Sequence, residues 1–244
     1  MRKIVKLFEN GCVSVSGKKG RGKDMLMSNV IARRKNLDYV SNINYGYKYN
    51  PFNKVDFDVR NNYSNFIDND INYYKFPFPD KTDLYLSDCG IYFPSQYQDK
   101  LVKEFSGVVS FQALSRQVGL CNVHTNSQYL GRVWDKIREQ SDTYIVCQWC
   151  KVLFGKIVIQ KVRIYEKYES ALNNVAPFRT TAPLLANSVV RSNIELAKDT
   201  YRNTHGVIKS RLLIYFNKGQ YDTREFRQKL IKGVREYEKD FRKN

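Results

Sequence analysis

The octet Gly17-Lys18-Lys19-Gly20-Arg21-Gly22-Lys23-Asp24 constrains this 244-residue chain more than any other feature. It fits the phosphate-binding pattern G-x-x-x-x-G-K, with Asp24 where Ser or Thr is usual. Glycines let main-chain N–H groups turn inward around phosphate oxygens. A helix that follows such a turn aims its N-terminus at the same anion. The pattern therefore demands a strand before it and a helix after it, and both are legible. Cys12-Val13-Ser14-Val15-Ser16 alternates and carries β-branched residues, as a strand does. Residues 23–35 place Met25, Leu26, Met27, Val30 and Ile31 at amphipathic helical spacing. A glycine-lysine surface turn is the competing reading. The strand–turn–helix context favours a nucleotide site built from Gly17, Lys18, Lys19, Gly20, Arg21, Gly22, Lys23, Asp24 and Met25, with Lys23 reaching the β- and γ-phosphates of ATP.

A site of this kind needs a divalent cation and a second strand that ends in an acid. Leu84-Tyr85-Leu86-Ser87-Asp88 supplies an apolar run and then a carboxylate, so Asp88 joins Asp24 as a candidate Mg²⁺ residue. Asp24 adds negative charge beside the phosphates and suits a helix N-terminus. Cys89 stands where many ATPases place a water-polarising Glu, which leaves the hydrolytic base unassigned. A third strand-like run, residues 119–125, leads into Asn126, Ser127 and Gln128. Gln128 is placed to orient an attacking water, and Asn126 or Ser127 to cap a helix over residues 129–140. His124 reads as a strand filler rather than a catalyst. Arg116 and Arg138 are candidates for an arginine that acts on a neighbouring subunit, and equally for surface ion pairs.

The formal charge is +17, and it is uneven. Residues 1–50 carry a net +8, residues 51–150 a net −2, and residues 151–244 a net +11. Self-repulsion of that size is relieved by a polyanion, which makes DNA a candidate partner. Residues 224–243 alternate Lys and Arg with Phe226, Leu230, Val234, Tyr237 and Phe241, an amphipathic basic helix by its spacing. It suits DNA, an anionic membrane surface or ordinary packing. No run of 18 apolar residues exists, so no membrane span is expected. Five cysteines, most in apolar runs, read as reduced thiols in a cytoplasmic protein. Cys147 and Cys150 form a C-x-x-C pair without the second pair that a zinc site needs.

Strands alternating with helical segments argue an α/β fold with a mostly parallel sheet. Residues 3–7 read as a short strand, 37–40 as another, and 98–114 as a helix. Residues 142–169 form a long hairpin turning at Gly155, 170–206 a polar stretch with Pro177 and Pro183, and 207–216 an apolar run. The expected division is a nucleotide-binding domain over residues 1–170 and a basic extension over 171–244.

Three segments in order resemble the zonular occludens toxin-like ATPases of filamentous phages, relatives of the FtsK/HerA pumping ATPases. They are Ser16 with the octet; Asp88-Cys89-Gly90-Ile91-Tyr92-Phe93-Pro94; and Ser115-Arg116-Gln117 with the strand ending at Gln128 and residues 133–138. The hairpin with Leu153-Phe154-Gly155-Lys156 and the late Tyr221-Asp222-Thr223 are similar too. The resemblance implies a P-loop NTPase fold, with a C-terminal hairpin and a basic C-terminal helix. It implies an oligomeric ATP- and Mg²⁺-dependent motor in virion assembly, extrusion or DNA packaging, with phage DNA as cargo. It places the protein in the host cytoplasm or peripherally at the inner face of the membrane. Family members commonly have Asp-Glu where this chain has Asp88-Cys89, and many carry a transmembrane helix that is not seen here. A membrane-bound or capsid partner is the implied substitute. The alternatives are a degenerate scaffold that binds nucleotide or DNA without hydrolysis, and another P-loop class such as a kinase or helicase loader.

Overall fold

The computed structural model describes residues 1–34, 38–45, 49–51, 82–87, 122–133, 135–180 and 188–219, with backbone alone at 49–51. Eight strands form one sheet in the order β3-β2-β4-β5-β1-β6-β7-β8. These are β1 Val13–Ser16, β2 Tyr39–Ser41, β3 Tyr49–Pro51, β4 Asp83–Leu86, β5 Val123–Ser127, β6 Thr143–Leu153, β7 Ile157–Tyr165 and β8 Ile208–Phe216. The first six in sheet order run parallel, and β7 and β8 are antiparallel to their neighbours. This is the α/β fold with a mostly parallel sheet expected from the sequence. The strand that feeds the phosphate turn, β1, is central, and β5 separates it from β4.

Alternation on the central strands divides the core between two faces. Val13, Val15, Ile145 and Cys147 pack with α1 (Arg2–Asn10) and α2 (Lys23–Ile31) through Ile4, Phe8, Leu26, Met27 and Val30. On the other face Tyr144, Val146 and Tyr165 pack with Leu130 and with Ala171 of a short helix, Tyr168–Leu172. On this second face Ser14 Oγ lies 2.7 Å from both Thr125 Oγ1 and Ser141 Oγ.

Several sequence expectations are corrected. Residues 3–7 are helical, inside α1, because Ile4, Leu7 and Phe8 share one face while Lys3, Lys6 and Glu9 take the other. Five residues were too few to separate the two periods. The helix over 129–140 is broken: a 3-10 turn, Leu130–Arg132, precedes α3, Asp135–Arg138, and Val133 between them is extended with φ −83 and ψ 138. With Tyr168–Leu172 as α4, the polar stretch 170–206 contains an 18-residue helix, α5, Ser188–His205, none of whose residues is buried. Lys167 Nζ donates to the carbonyls of Asn203 (2.7 Å) and Thr204 (3.2 Å), a cation at the carbonyl end of α5. The hairpin is present as read, β6 to β7 across Gly155. The apolar run after residue 207 is β8, which pairs with β7 from Ile208 to Phe216, so the sheet continues past residue 170. The 98–114 helix and the basic helix of 224–243 lie outside the described residues.

A buried charge network joins the starting ends of β4 and β5. Asp83 Oδ2 accepts from Arg34 Nη1, from His124 Nε2 (3.0 Å) and from the Tyr85 hydroxyl (3.2 Å). Its Oδ1 accepts the Asn122 amide at 3.1 Å. His124 Nδ1 accepts the Val13 amide at 3.3 Å, so the ring is neutral with its proton on Nε2. His124 is thus a structural residue, as the sequence suggested. Burial pushes its pKa below the usual 6.5, against the opposing pull of Asp83. The unfolded chain takes up a proton as pH falls through about 6.5, and the folded chain does not. Stability is therefore full above that value and declines as pH falls, by at most about 1.4 kcal/mol per pH unit. Denaturant midpoints measured between about pH 7.5 and 5.5 should show this decline. They should show it much reduced in His124→Asn.

Candidate nucleotide site

The phosphate turn leaves β1 at Ser16 and enters α2 at Gly22. Three of its residues have φ values that favour glycine: Gly17 (147), Gly20 (77) and Gly22 (78). Gly22 is also held by contact, since a Cβ there would lie 2.8 Å from Cys150 Sγ and 2.9 Å from Cys150 Cβ. It is the N-cap of α2 and supplies no side chain to the first-turn amides. A helix start of this kind presents its N–H groups to an anion.

The shape of the turn is fixed from below by the β6–β7 hairpin. Gln160, fully buried on β7, donates through Nε2 to the carbonyls of Arg21 (3.1 Å) and Gly22 (3.0 Å). Its Oε1 accepts the Tyr215 hydroxyl of β8 at 2.9 Å. Arg21 Nη1 donates to the Gln148 carbonyl on β6. Cys147 and Cys150 lie beneath the same turn, on either side of a register shift in β6. Burial pushes the Cys147 thiol up to about 12 and also raises that of Cys150. The C-x-x-C pair therefore packs under the glycines as neutral thiols. Gln160 was missed by the sequence reading, although an amide at an inward position of an apolar strand was a usable signal.

Lys23 opens α2 and retains only 6% exposure. It makes no hydrogen bond or ion pair among the described residues. Asp24 follows, and its Oδ1 accepts from Asn126 Nδ2 (2.6 Å), the Tyr45 hydroxyl (3.3 Å) and Ser87 Oγ (3.4 Å). Asn126 Nδ2 also lies 3.0 Å from Ser87 Oγ, and Tyr45 is hydrogen-bonded to Ser87. With one hydroxyl proton spent between Tyr45 and Ser87, Asn126 and one of the two hydroxyls hold this carboxylate oxygen at a time, while Oδ2 has no such partner among the described residues. Asn126 serves this cluster at the end of β5 instead of capping a helix. Tyr45 and Ser87 had no local pattern to announce them, because the fold alone brings them to Asp24.

Gln128 follows β5 and is exposed. With Ser16, Gly17, Lys18, Arg21 and Gln148 it lines a cleft of about 340 Å³ beside the turn. Lys18, Lys19 and Gly20 are exposed, and Met25 is half-buried. Arg138 is engaged within the chain, donating to the Val133 carbonyl at 3.2 Å and lying 4.6 Å over the Tyr168 ring. Asp88, Cys89 and Arg116 lie outside the described residues. The strand leading to Asp88 is in place, however, and Ser87, its neighbour, touches Asp24.

No protein-family model matches the chain, and no curated protein sequence matches it either. Solved structures do. The N-terminal domain of zonular occludens toxin from Neisseria meningitidis is similar over 88% of this chain and 95% of its own, at 10% identity and a TM-score of 0.44. The genome packaging NTPase B204 of Sulfolobus turreted icosahedral virus 2, in complex with ATP-gammaS, is similar over 57% and 74%, at 15% identity and a TM-score of 0.40. The DNA-packaging ATPase B204 of Sulfolobus turreted icosahedral virus is similar over 69% and 96%, at 13% identity and 0.41. The family that the sequence motifs resemble is therefore among the structural neighbours.

The Gln160 anchor has a measurable energy. Gln160→Leu keeps the volume but strands two carbonyls and a hydroxyl, at a cost of about 2–4 kcal/mol. Tyr215→Phe removes one bond and should cost about 1 kcal/mol. Thermal unfolding should rank the two in that order, and only Gln160→Leu should also raise the Kd for ATP substantially.

Proposed function

We propose that this chain binds ATP with Mg²⁺ at the 17–25 turn and hydrolyses it as an oligomeric motor that moves DNA during phage virion assembly. The observation that carries the nucleotide reading is Lys23. A buried ammonium without a counter-anion is costly. This one sits at the uncapped start of α2, so an anionic ligand at the turn offsets the cost. Glycine conformations and the Gln160 bonds turn two carbonyls of the turn toward the hairpin. The phosphate ligand is thereby offered donors.

The donor set beside Lys23 also suits a hard cation: a carboxylate with one oxygen pinned, a hydroxyl and an amide. Asp24 and Asp88 are the residues proposed to hold Mg²⁺, which when bound would neutralise charge on the transferred phosphoryl group. Lys23 holds the β- and γ-phosphates and Gln128 orients the attacking water. Arg116 of a neighbouring copy supplies positive charge in trans. Lys18, Lys19 and Arg21 add positive charge around the turn. DNA as cargo is supported by the +17 charge and by the sequence resemblance to phage assembly ATPases. Localisation in the host cytoplasm, with membrane or capsid partners, belongs to the same reading.

A non-hydrolysing scaffold is the second reading. Cys89 in place of a base and the carboxylate of Asp24 in place of a hydroxyl favour it. Phosphate release measured with and without DNA separates the two. On the motor reading Lys23→Ala loses turnover by at least about a hundredfold, with unfolding behaviour unchanged. Full turnover in that variant would end the reading. Asp24→Ser should lessen the dependence of ATP affinity on Mg²⁺, because it removes a negative charge from beside the phosphates. Calorimetric titration with and without the cation measures this.

A further inference from the structure

The tip of the β6–β7 hairpin serves neither the turn nor the core. Val152, Leu153 and Phe154 are consecutive and exposed, Phe154 at 90%. Phe154 and Gly155 both have positive φ, 50 and 65, the pair of conformations found in tight hairpin turns. Asparagine or glycine takes the first position of such a turn with little strain, and phenylalanine takes it at a cost. The ring gains no packing in return.

Among the described residues, the strands that carry and flank the tip are basic. The hairpin carries Lys151, Lys156, Lys161 and Arg163 and no acidic residue. The strand beside it, with its flanks over residues 206–219, carries Lys209, Arg211 and Lys218 and again no acid. The apolar surface continues onto that strand, since Phe216 pairs with Ile157 next to the tip, and Leu212, Ile214 and Phe216 are all exposed. An aliphatic-aromatic tip inside a lysine collar matches a bilayer surface: side chains enter the acyl boundary while ammonium groups meet anionic headgroups. Nucleic acid would use the lysines and one ring, and would leave Val152 and Leu153 exposed.

We propose that the 151–156 hairpin tip inserts into the surface of an anionic lipid bilayer, with Leu153 and Phe154 as the inserted residues and Lys151 and Lys156 as headgroup contacts. Flotation of the full chain with phosphatidylcholine vesicles, and with vesicles containing about one quarter phosphatidylglycerol, tests this. The expected result is binding to the anionic vesicles only, weakened at least about tenfold by Phe154→Asn and by raised salt. Phe154→Asn suits the positive φ, so its unfolding temperature should hold or rise. Absence of binding by the natural chain, or equal binding by Phe154→Asn, overturns the proposal. Unchanged vesicle binding with a loss of single-stranded DNA affinity in the variant overturns it in favour of a nucleic-acid contact. A lowered oligomer mass with unchanged vesicle binding overturns it in favour of a subunit interface.

Discussion

One buried amide determines how the phosphate turn faces. A turn of this length has carbonyls as well as amides, and only the amides suit an anion. Gln160 accepts no ambiguity on this point: its Nε2 group takes the Arg21 and Gly22 carbonyls, and its Oε1 is occupied by Tyr215. The bonds lie in a fully buried setting, where hydrogen bonds are strong and an unpaired group is costly. The glycines permit the turn, and the hairpin selects one form of it. Gly22 shows the same division, with a φ that glycine allows and a contact with Cys150 that leaves no room for a side chain.

Polar side chains in the parallel part of the sheet gather at opposite ends of the strands, with different chemistry. At the starting ends Asp83 is satisfied on both oxygens, by Arg34, His124, Tyr85 and the Asn122 amide. That network is closed. Removing Arg34 would leave a buried carboxylate short of its cation, and nothing there awaits a ligand. At the finishing ends Asp24 is satisfied on one oxygen, and the Lys23 ammonium has no partner among the described residues. Among the described residues one set of charges is closed and the other is open, and the proposed nucleotide falls at the open set. This agrees with the tendency of parallel sheets to bind at the carboxyl ends of their strands.

What could be read from the sequence was what local physics determines. The octet, strand β1, helix α2 and the hairpin at Gly155 each carry their signal within about a dozen residues. The α1 segment was misread because five residues, Lys3 to Leu7, are too few to fix a period. The α5 helix was hidden by its polar composition, although Val190, Ile194, Ala197 and Tyr201 repeat at helical spacing. Tyr45, Ser87 and Asn126 could not be joined to Asp24 in advance. They arrive from three separate segments, and only the strand order brings them together. Gln160 could be noticed as an amide in an apolar strand but not joined to the turn, since its partners there, Arg21 and Gly22, lie well over a hundred residues earlier in the chain.

The hairpin therefore cannot be mechanically independent of the phosphate turn. Gln160 pairs in register with Cys150 on one side and Leu213 on the other, three residues from the end of the ladder at Ile157. That is roughly 10 Å of strand between the anchor and the tip. Beyond the anchor the ladders hold β6, β7 and β8 together, and Asn217 closes the end by donating its amide to the Lys156 carbonyl at 2.7 Å. Asn29 of α2 and Arg33, in the turn just after it, are tied to the same end, through Asn217 and the Phe216 carbonyl. The helix that begins at the phosphate turn thus returns to the strand beside the tip. A displacement of the tip loads both ends of this path, the Gln160 bonds at one and the Asn29 and Arg33 bonds at the other. Because the path is hydrogen-bonded throughout, it shifts as a unit or breaks a named bond, and the weakest link is the solvent-facing Arg33 contact rather than buried Gln160.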